Sequence, residues 1–319
     1  MSAANNAIGL ALGSGAARGL AHIGVLKVLE QAAIPIACIA GTSIGAFIGA
    51  LYAAGVPTEE MEKTLCDLDW RALTRLLGPT LPTSGLLDGA KVASFMAELL
   101  PVKTFEELAI PLAVTATDVE SGEALVIQQG DLLEGLHAAT AFPGIFSPVP
   151  RDGRFLVDGG LCNPVPADVA YGMGARRVIG VSAIPALPKP IETPLKTAPP
   201  RPVAKHQPLR EFFTGAQIEA LFHEIWQRGS NKHGSPSERQ PPDRPIRKPP
   251  GIFKVCARSV AIMENQINDL RLEKEAIDLL IRPCFDDISL LDFHRAEEAI
   301  AAGAAATRKR LPEILRLLK

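Results

Sequence analysis

Two stretches of small residues carry most of the chemistry this sequence offers. Gly41-Thr42-Ser43-Ile44-Gly45 is a G-x-S-x-G motif. The apolar run Ile36–Ala40 precedes it and a helix-forming run follows, so the serine sits in a strand–turn–helix setting. Neighbouring atoms crowd the backbone at such a turn, which favours glycine two residues to either side. Ser43 also starts the helix, whose free N–H groups favour a developing negative charge. The second stretch, Gly13-Ser14-Gly15-Ala16-Ala17-Arg18-Gly19, follows the apolar strand Ile8–Leu12. It leads into a helix with Leu20, Ile23, Val25, Leu26 and Leu29 on its apolar positions. A turn of this kind exposes backbone N–H groups that can hold a phosphate or an oxyanion. A dinucleotide site fits poorly: the third glycine, Gly19, falls one place late and no acidic residue follows at the required distance. Succession by a serine elbow points to acyl chemistry, with loop N–H groups stabilising a tetrahedral oxyanion while Ser43 attacks a carbonyl.

A third candidate is Asp158-Gly159-Gly160, at the end of the strand Phe155–Val157. Two glycines after a carboxylate permit close approach of the backbone to another group. Taken alone, the fragment reads more simply as a β-turn with a capping aspartate.

The elements that must position these residues alternate between strands and helices. Pro111–Val119 and Ala124–Ile127 read as strands joined by the turn Glu120-Ser121-Gly122-Glu123, with Asp118 as a turn cap. Thr58 reads as the N-cap of a helix, and Leu132–Ala141 as a helix in which His137 packs or caps. Met61, Trp70, Leu86, Leu87, Phe95 and Met96 fit an acyl-chain pocket or, more simply, the core. Phe142–Pro150 is an ordered apolar loop. Ala175–Ser182 is a further buried strand after a helix over Pro166–Gly174. Ile252–Glu275 is a long helix, Ile277–Ile281 a strand, and Asp292–Leu318 one or two closing helices. Ile34–Val56 has no charged residue and is long enough to span a membrane, but Pro35 and five glycines or serines mark it as a buried strand and helix.

Composition sets the outer bounds. The 319 residues are 47% hydrophobic and 21% charged, ample for a globular core. A net charge of −2 makes no case for nucleic acid. The five cysteines form no C-x-x-C pair, which suggests a reducing compartment and no structural zinc. Met1–Ala7 lacks the positive charge that opens a signal peptide, so the expectation is a cytoplasmic protein, at most peripheral at the inner membrane surface. Residues 185–250 hold fourteen of the twenty-seven prolines, and eleven Lys and Arg against six Asp and Glu. They read as a largely disordered basic insertion between a core at 7–184 and a C-terminal part at 251–319. Within it, Ile218, Leu221, Phe222, Ile225 and Trp226 form an amphipathic stripe at 216–228 that fits a lid, a packing helix or an interfacial anchor.

The Gly13–Gly19 loop with Arg18, the Gly41–Gly45 elbow and Asp158-Gly159-Gly160, in this order and spacing, resemble the patatin-like phospholipases. The branch is the bacterial and neuropathy-target-esterase type. Ala116-Thr117-Asp118, Phe142-Pro143-Gly144-Ile145-Phe146, Asn163-Pro164-Val165-Pro166, Arg258-Ser259 and Ile281-Arg282-Pro283 agree. The departures are Ser14 and Ala16, where many relatives carry glycine. The resemblance implies an α/β fold in three layers, a mainly parallel central sheet flanked by helices. It implies a Ser–Asp dyad, with Ser43 as nucleophile and Asp158 as base. Gly13, Ser14, Gly15 and Ala16 would then form the oxyanion hole and Arg18 would orient the loop or a lipid head. Gly19, Gly41, Gly45, Gly159 and Gly160 would support the motifs. No metal or organic cofactor is implied. The histidines fit a dyad: His22 lies too close to the loop, His206, His223 and His233 lie in the irregular region, and His294 sits at a helix start. The expected activity is hydrolysis of carboxylic esters of (lyso)phospholipids or related acyl lipids, with peripheral membrane contact and an open oligomeric state. An acyltransferase with the same nucleophile and a non-catalytic lipid-binding regulatory protein are the alternatives.

Overall fold

The computed structural model describes residues 7–67, 89–184, 252–274, 277–285, 288–289 and 292–319. Short apolar runs ending in glycine or a polar residue form the strands. These are β1 (Ile8–Leu12), β2 (Ile36–Thr42), β3 (Leu112–Asp118), β4 (Ala124–Ile127), β5 (Val149–Arg151), β6 (Arg154–Asp158), β7 (Val178–Val181) and β8 (Leu279–Ile281). They make one sheet in the order β5-β6-β3-β2-β1-β7-β8, with β4 also paired to β3. β1, β2, β3, β7 and β8 run parallel; β4 and β6 are antiparallel to β3, and β5 to β6. The fold is therefore α/β with a mostly parallel sheet, as expected. The end of the Phe142–Pro150 stretch, read from sequence as loop, joins the sheet as β5, since Val149 and Pro150 pair with Leu156 and Phe155.

The helices are α1 (Ala21–Gln31), α2 (Ile44–Ala53), α3 (Thr58–Cys66), α4 (Gly89–Leu99), α5 (Leu132–Thr140), α6 (Ala167–Gly172), α7 (Ile252–Lys274) and α8 (Ala296–Leu317). Alternation along the central strands gives each face its own core. Ile8, Leu10 and Leu12 of β1, Ile39 of β2 and Ile179 and Val181 of β7 join one large cluster with α1, α2, α5 and α8. Ala11, Cys38, Ala40 and Val178 point the other way, onto Val165, Ala167 and Ala170 around α6.

Chain ends distant in sequence meet in this core. A Cβ on Gly24 of α1 would strike the Ile300 carbonyl of α8, and one on Gly303 of α8 would strike the Ala21 carbonyl of α1. The two helices thus cross backbone to backbone. Helix α3 begins at Thr58 with Pro57 as its N-cap, which corrects the sequence reading: the Thr58 hydroxyl instead donates to Glu30 Oε2 at 2.7 Å. Ile34–Val56 is a buried strand and helix, and no helix among the described residues is long and apolar enough to cross a membrane.

Candidate active site

The pairing of β3 brings Ser43 and Asp158 together. Val114 and Thr115 pair with both β2 and β4, so those strands lie on opposite edges of β3. Ala116 and Thr117 pair with both β4 and β6, so β6 occupies the same edge as β2. β2 runs up that edge to Thr42, opposite Thr115; β6 runs down it to Asp158, opposite Ala116. The two strands meet end to end, one residue of β3 apart. Ser43 follows Thr42 at φ 56°, ψ −126°, a conformation rare for a residue with a Cβ. Its Oγ donates to Asp158 Oδ2 at 2.5 Å.

Packing around this junction accounts for the motif glycines. A Cβ on Gly41 would press on the backbone of Ala46, and one on Gly45 on the carbonyls of Leu12 and Gly13. Gly159 lies against Thr115, and Gly19 against the Ile44 side chain. Beneath the pair, Thr42 Oγ1 donates to the Asn163 carbonyl at 2.8 Å and so accepts from Thr115 Oγ1 at 2.7 Å. Sequence reasoning did not find this network, because threonines in strands carry no distinguishing signal.

The glycine loop lies beside the elbow, but its N–H groups are not all available to an oxyanion. Gly13 N–H donates to the Val181 carbonyl at 2.9 Å and Ser14 N–H to the Pro164 carbonyl at 2.8 Å. Gly13 and Ser14 are therefore corrected from oxyanion donors to anchors of the loop on β7 and on the chain after Asp158. Gly15 and Ala16 donate to no acceptor among the described residues. Ala16 sits at φ 48°, in the left-handed region that glycine fills more easily. The Arg18 guanidinium donates through Nε to the Ile288 carbonyl at 2.6 Å, tying the loop to the chain before α8. His22 is fully buried and its Nε2 lies 2.7 Å from the Gly13 carbonyl. A carbonyl only accepts, so Nε2 carries the proton. The sequence showed this residue merely as a histidine inside an apolar helix.

Electrostatics distinguish the two carboxyls at the site. Asp158 is 1% exposed, and burial raises its pKa to about 6 against the opposing hydrogen bonds from Ser43 and from Gly160 N–H, the latter 2.8 Å from Oδ1. That range suits a base working near neutrality. Glu264, on α7, is the second. It is buried beside the Gly159–Leu161 turn, and sequence reasoning missed it because one glutamate in a long helix has no pattern. Burial and then the charge of Asp158 raise its pKa to about 8, with Arg18 opposing. Arg271 holds α7 in place, donating to Asp168 Oδ2 at 2.9 Å and to the Cys162 carbonyl at 3.4 Å.

The remaining candidates take structural places. Asp118 caps its turn, accepting from Glu120 N–H at 3.0 Å and Ser121 Oγ at 2.8 Å. His137 packs on α5, where burial lowers its pKa. His294 lies in the short 3₁₀ turn that opens α8. Met61 and Met96 are core and Phe95 packs against it; Trp70, Leu86, Leu87 and the 216–228 stripe lie outside the described residues.

A strand–turn–helix on a mostly parallel α/β sheet, with the serine at its turn bonded to a buried aspartate, defines the structural class. Within that class, the sequence profile described as patatin-like phospholipase matches residues 10–171. An uncharacterized NTE family protein of Mycobacterium bovis is 32% identical over 332 residues, covering 95% of this chain and 91% of that protein. Human patatin-like phospholipase domain-containing protein 6 is 37% identical over 183 residues, covering 55% of this chain and 13% of that protein. Among solved structures, VipD from Legionella pneumophila aligns over 97% of this chain and 67% of that one, with 12% identity and a TM-score of 0.46. The chain belongs to the patatin-like phospholipase family, which sets it among lipid hydrolases.

Proposed function

We propose that this protein is a serine esterase that hydrolyses carboxylic esters of (lyso)phospholipids or related acyl lipids through a Ser43–Asp158 dyad. The observation that carries this reading is the Ser43 hydroxyl donating to a buried aspartate at a strained elbow. Ser43 Oγ attacks the ester carbonyl as its proton passes to Asp158 Oδ2. The N–H groups of Gly15 and Ala16 stabilise the oxyanion. Collapse of the tetrahedral intermediate expels the alcohol, which takes the proton from Asp158 and leaves an acyl-Ser43 ester. Water then attacks the acyl group, giving its proton to Asp158. The acid departs as Ser43 recovers the proton.

The acyl-lipid substrate class is supported by family membership and by the helix beside the site, whose Ile262, Met263 and Leu270 are exposed. Those side chains favour peripheral contact with a lipid surface. The test is product analysis after incubation with lysophosphatidylcholine, with and without added glycerol. The expected products are free fatty acid and glycerophosphocholine, in wild type and not in Ser43→Ala. Acylglycerol as the main product would make the protein an acyltransferase. Lipid binding without turnover would make it the non-catalytic binding protein.

A further inference from the structure

Helix α7 is built inside out. It turns Glu264, Asn265 and Asn268 inward, each buried, and leaves Ile262, Met263 and Leu270 exposed. A helix packed for stability alone buries its apolar side. Asn265 is satisfied within its own helix, donating to the Ala261 carbonyl at 2.9 Å. Glu264 faces the site. Its Oε1 is the nearest atom to the point a Cβ on Gly160 would occupy, and Asp158 Oδ1 and Ser14 Oγ lie 3.2 and 3.3 Å from that point. Three polar atoms from α7, the end of β6 and the glycine loop therefore converge behind Gly160. The Ser14 hydroxyl among them is buried and has no hydrogen-bond partner among the described residues. The charged groups around the niche are Asp158 and Arg18, with Arg258 on α7 and Asp292 before α8 acting on Arg18.

We propose that Glu264 is a positioning residue of this site, whose neutral carboxyl sustains the Ser43–Asp158 pair and whose ionisation shuts it down. The inference rests on the reading of that pair given above. In its neutral form, Glu264 leaves Asp158 as the one anion beside the nucleophile. Once ionised, it sets a second negative charge behind Gly160, which opposes the oxyanion formed when Ser43 attacks. Activity should then rise as Asp158 ionises near pH 6 and fall as Glu264 ionises near pH 8, as macroscopic values of a coupled pair.

The test is the rate of fluorophosphonate labelling of Ser43 as a function of pH, in wild type, Glu264→Gln and Glu264→Met. The expected wild-type profile is a bell. In Glu264→Gln the acid limb keeps its midpoint and the alkaline limb disappears, so that at about pH 9.5 the variant labels roughly thirtyfold faster than wild type. Glu264→Met removes the titration in a similar volume, gives the same result, and serves if the amide variant does not fold. An alkaline limb that persists unchanged in both variants overturns the assignment. So does a wild-type rate that stays flat above neutrality. Failure to label Ser43 at any pH overturns instead the reading of the nucleophile.

Discussion

Asp158 holds its proton up to about pH 6, whereas an aspartate in an unfolded chain gives it up at about 3.9. A pKa raised on folding means that stability is full below the unfolded value and is lost as pH rises through the folded one. Above pH 6 the buried aspartate therefore costs the fold about 3 kcal/mol. Asp158→Asn, which can still accept from Gly160 and pair with Ser43, should gain up to that amount at pH 8 and little at pH 4, measured by denaturant unfolding. His22 works with the opposite sign. Burial lowers its pKa to about 4, against the Gly13 hydrogen bond, so its contribution is present above the unfolded value of about 6.5 and lost as pH falls through 4. His22→Leu should cost about 1–3 kcal/mol at pH 7, because the Gly13 carbonyl loses its donor. It should also narrow the stability difference between pH 7 and pH 4. Denaturant unfolding at pH 4, 7 and 8 reads both variants.

The elements hold these residues through close approaches and through a shared strand edge. α1, which carries His22, crosses α8 at Gly24 and Gly303 with no space for a methyl group on either. Gly24→Ala or Gly303→Ala should destabilise by about 2–3 kcal/mol, the scale of overpacking a filled contact, and a drop in thermal midpoint would register it. The local units were legible in the sequence: strand, elbow and helix from Ile36 to Ala53, and the hairpin around Asp118. Their short apolar runs, glycines and turn residues are fixed by nearby sterics. The β5 strand was not legible, since a three-residue edge strand containing Pro150 is decided by its partner β6. The end-to-end meeting of β2 and β6 on β3 was likewise invisible, because it depends on two long-range pairings, Thr42 with Thr115 and Ala116 with Asp158.

At the scale of the molecule, Ser43 was readable as a candidate from its glycine-marked turn, whereas Asp158, which alone reads as a turn cap, stood out only through the resemblance of the three motifs in order. Glu264 was not readable, because its role comes entirely from where α7 lies. The Gly13–Gly19 stretch was readable as a loop. Which of its N–H groups remain available depends on Val181 and Pro164, which no local pattern reveals. The proposed chemistry requires that a serine and an aspartate suffice without a histidine. The most direct measurement is hydrolysis of a p-nitrophenyl ester by wild type, Ser43→Ala, Asp158→Asn and His294→Ala, with the fluorophosphonate adduct located by mass spectrometry. The expected outcome is the adduct on Ser43, a loss of at least about a hundredfold in the first two variants, and an unchanged rate in His294→Ala. Activity that survives Ser43→Ala, or that disappears with His294 while Asp158→Asn retains it, would contradict the dyad.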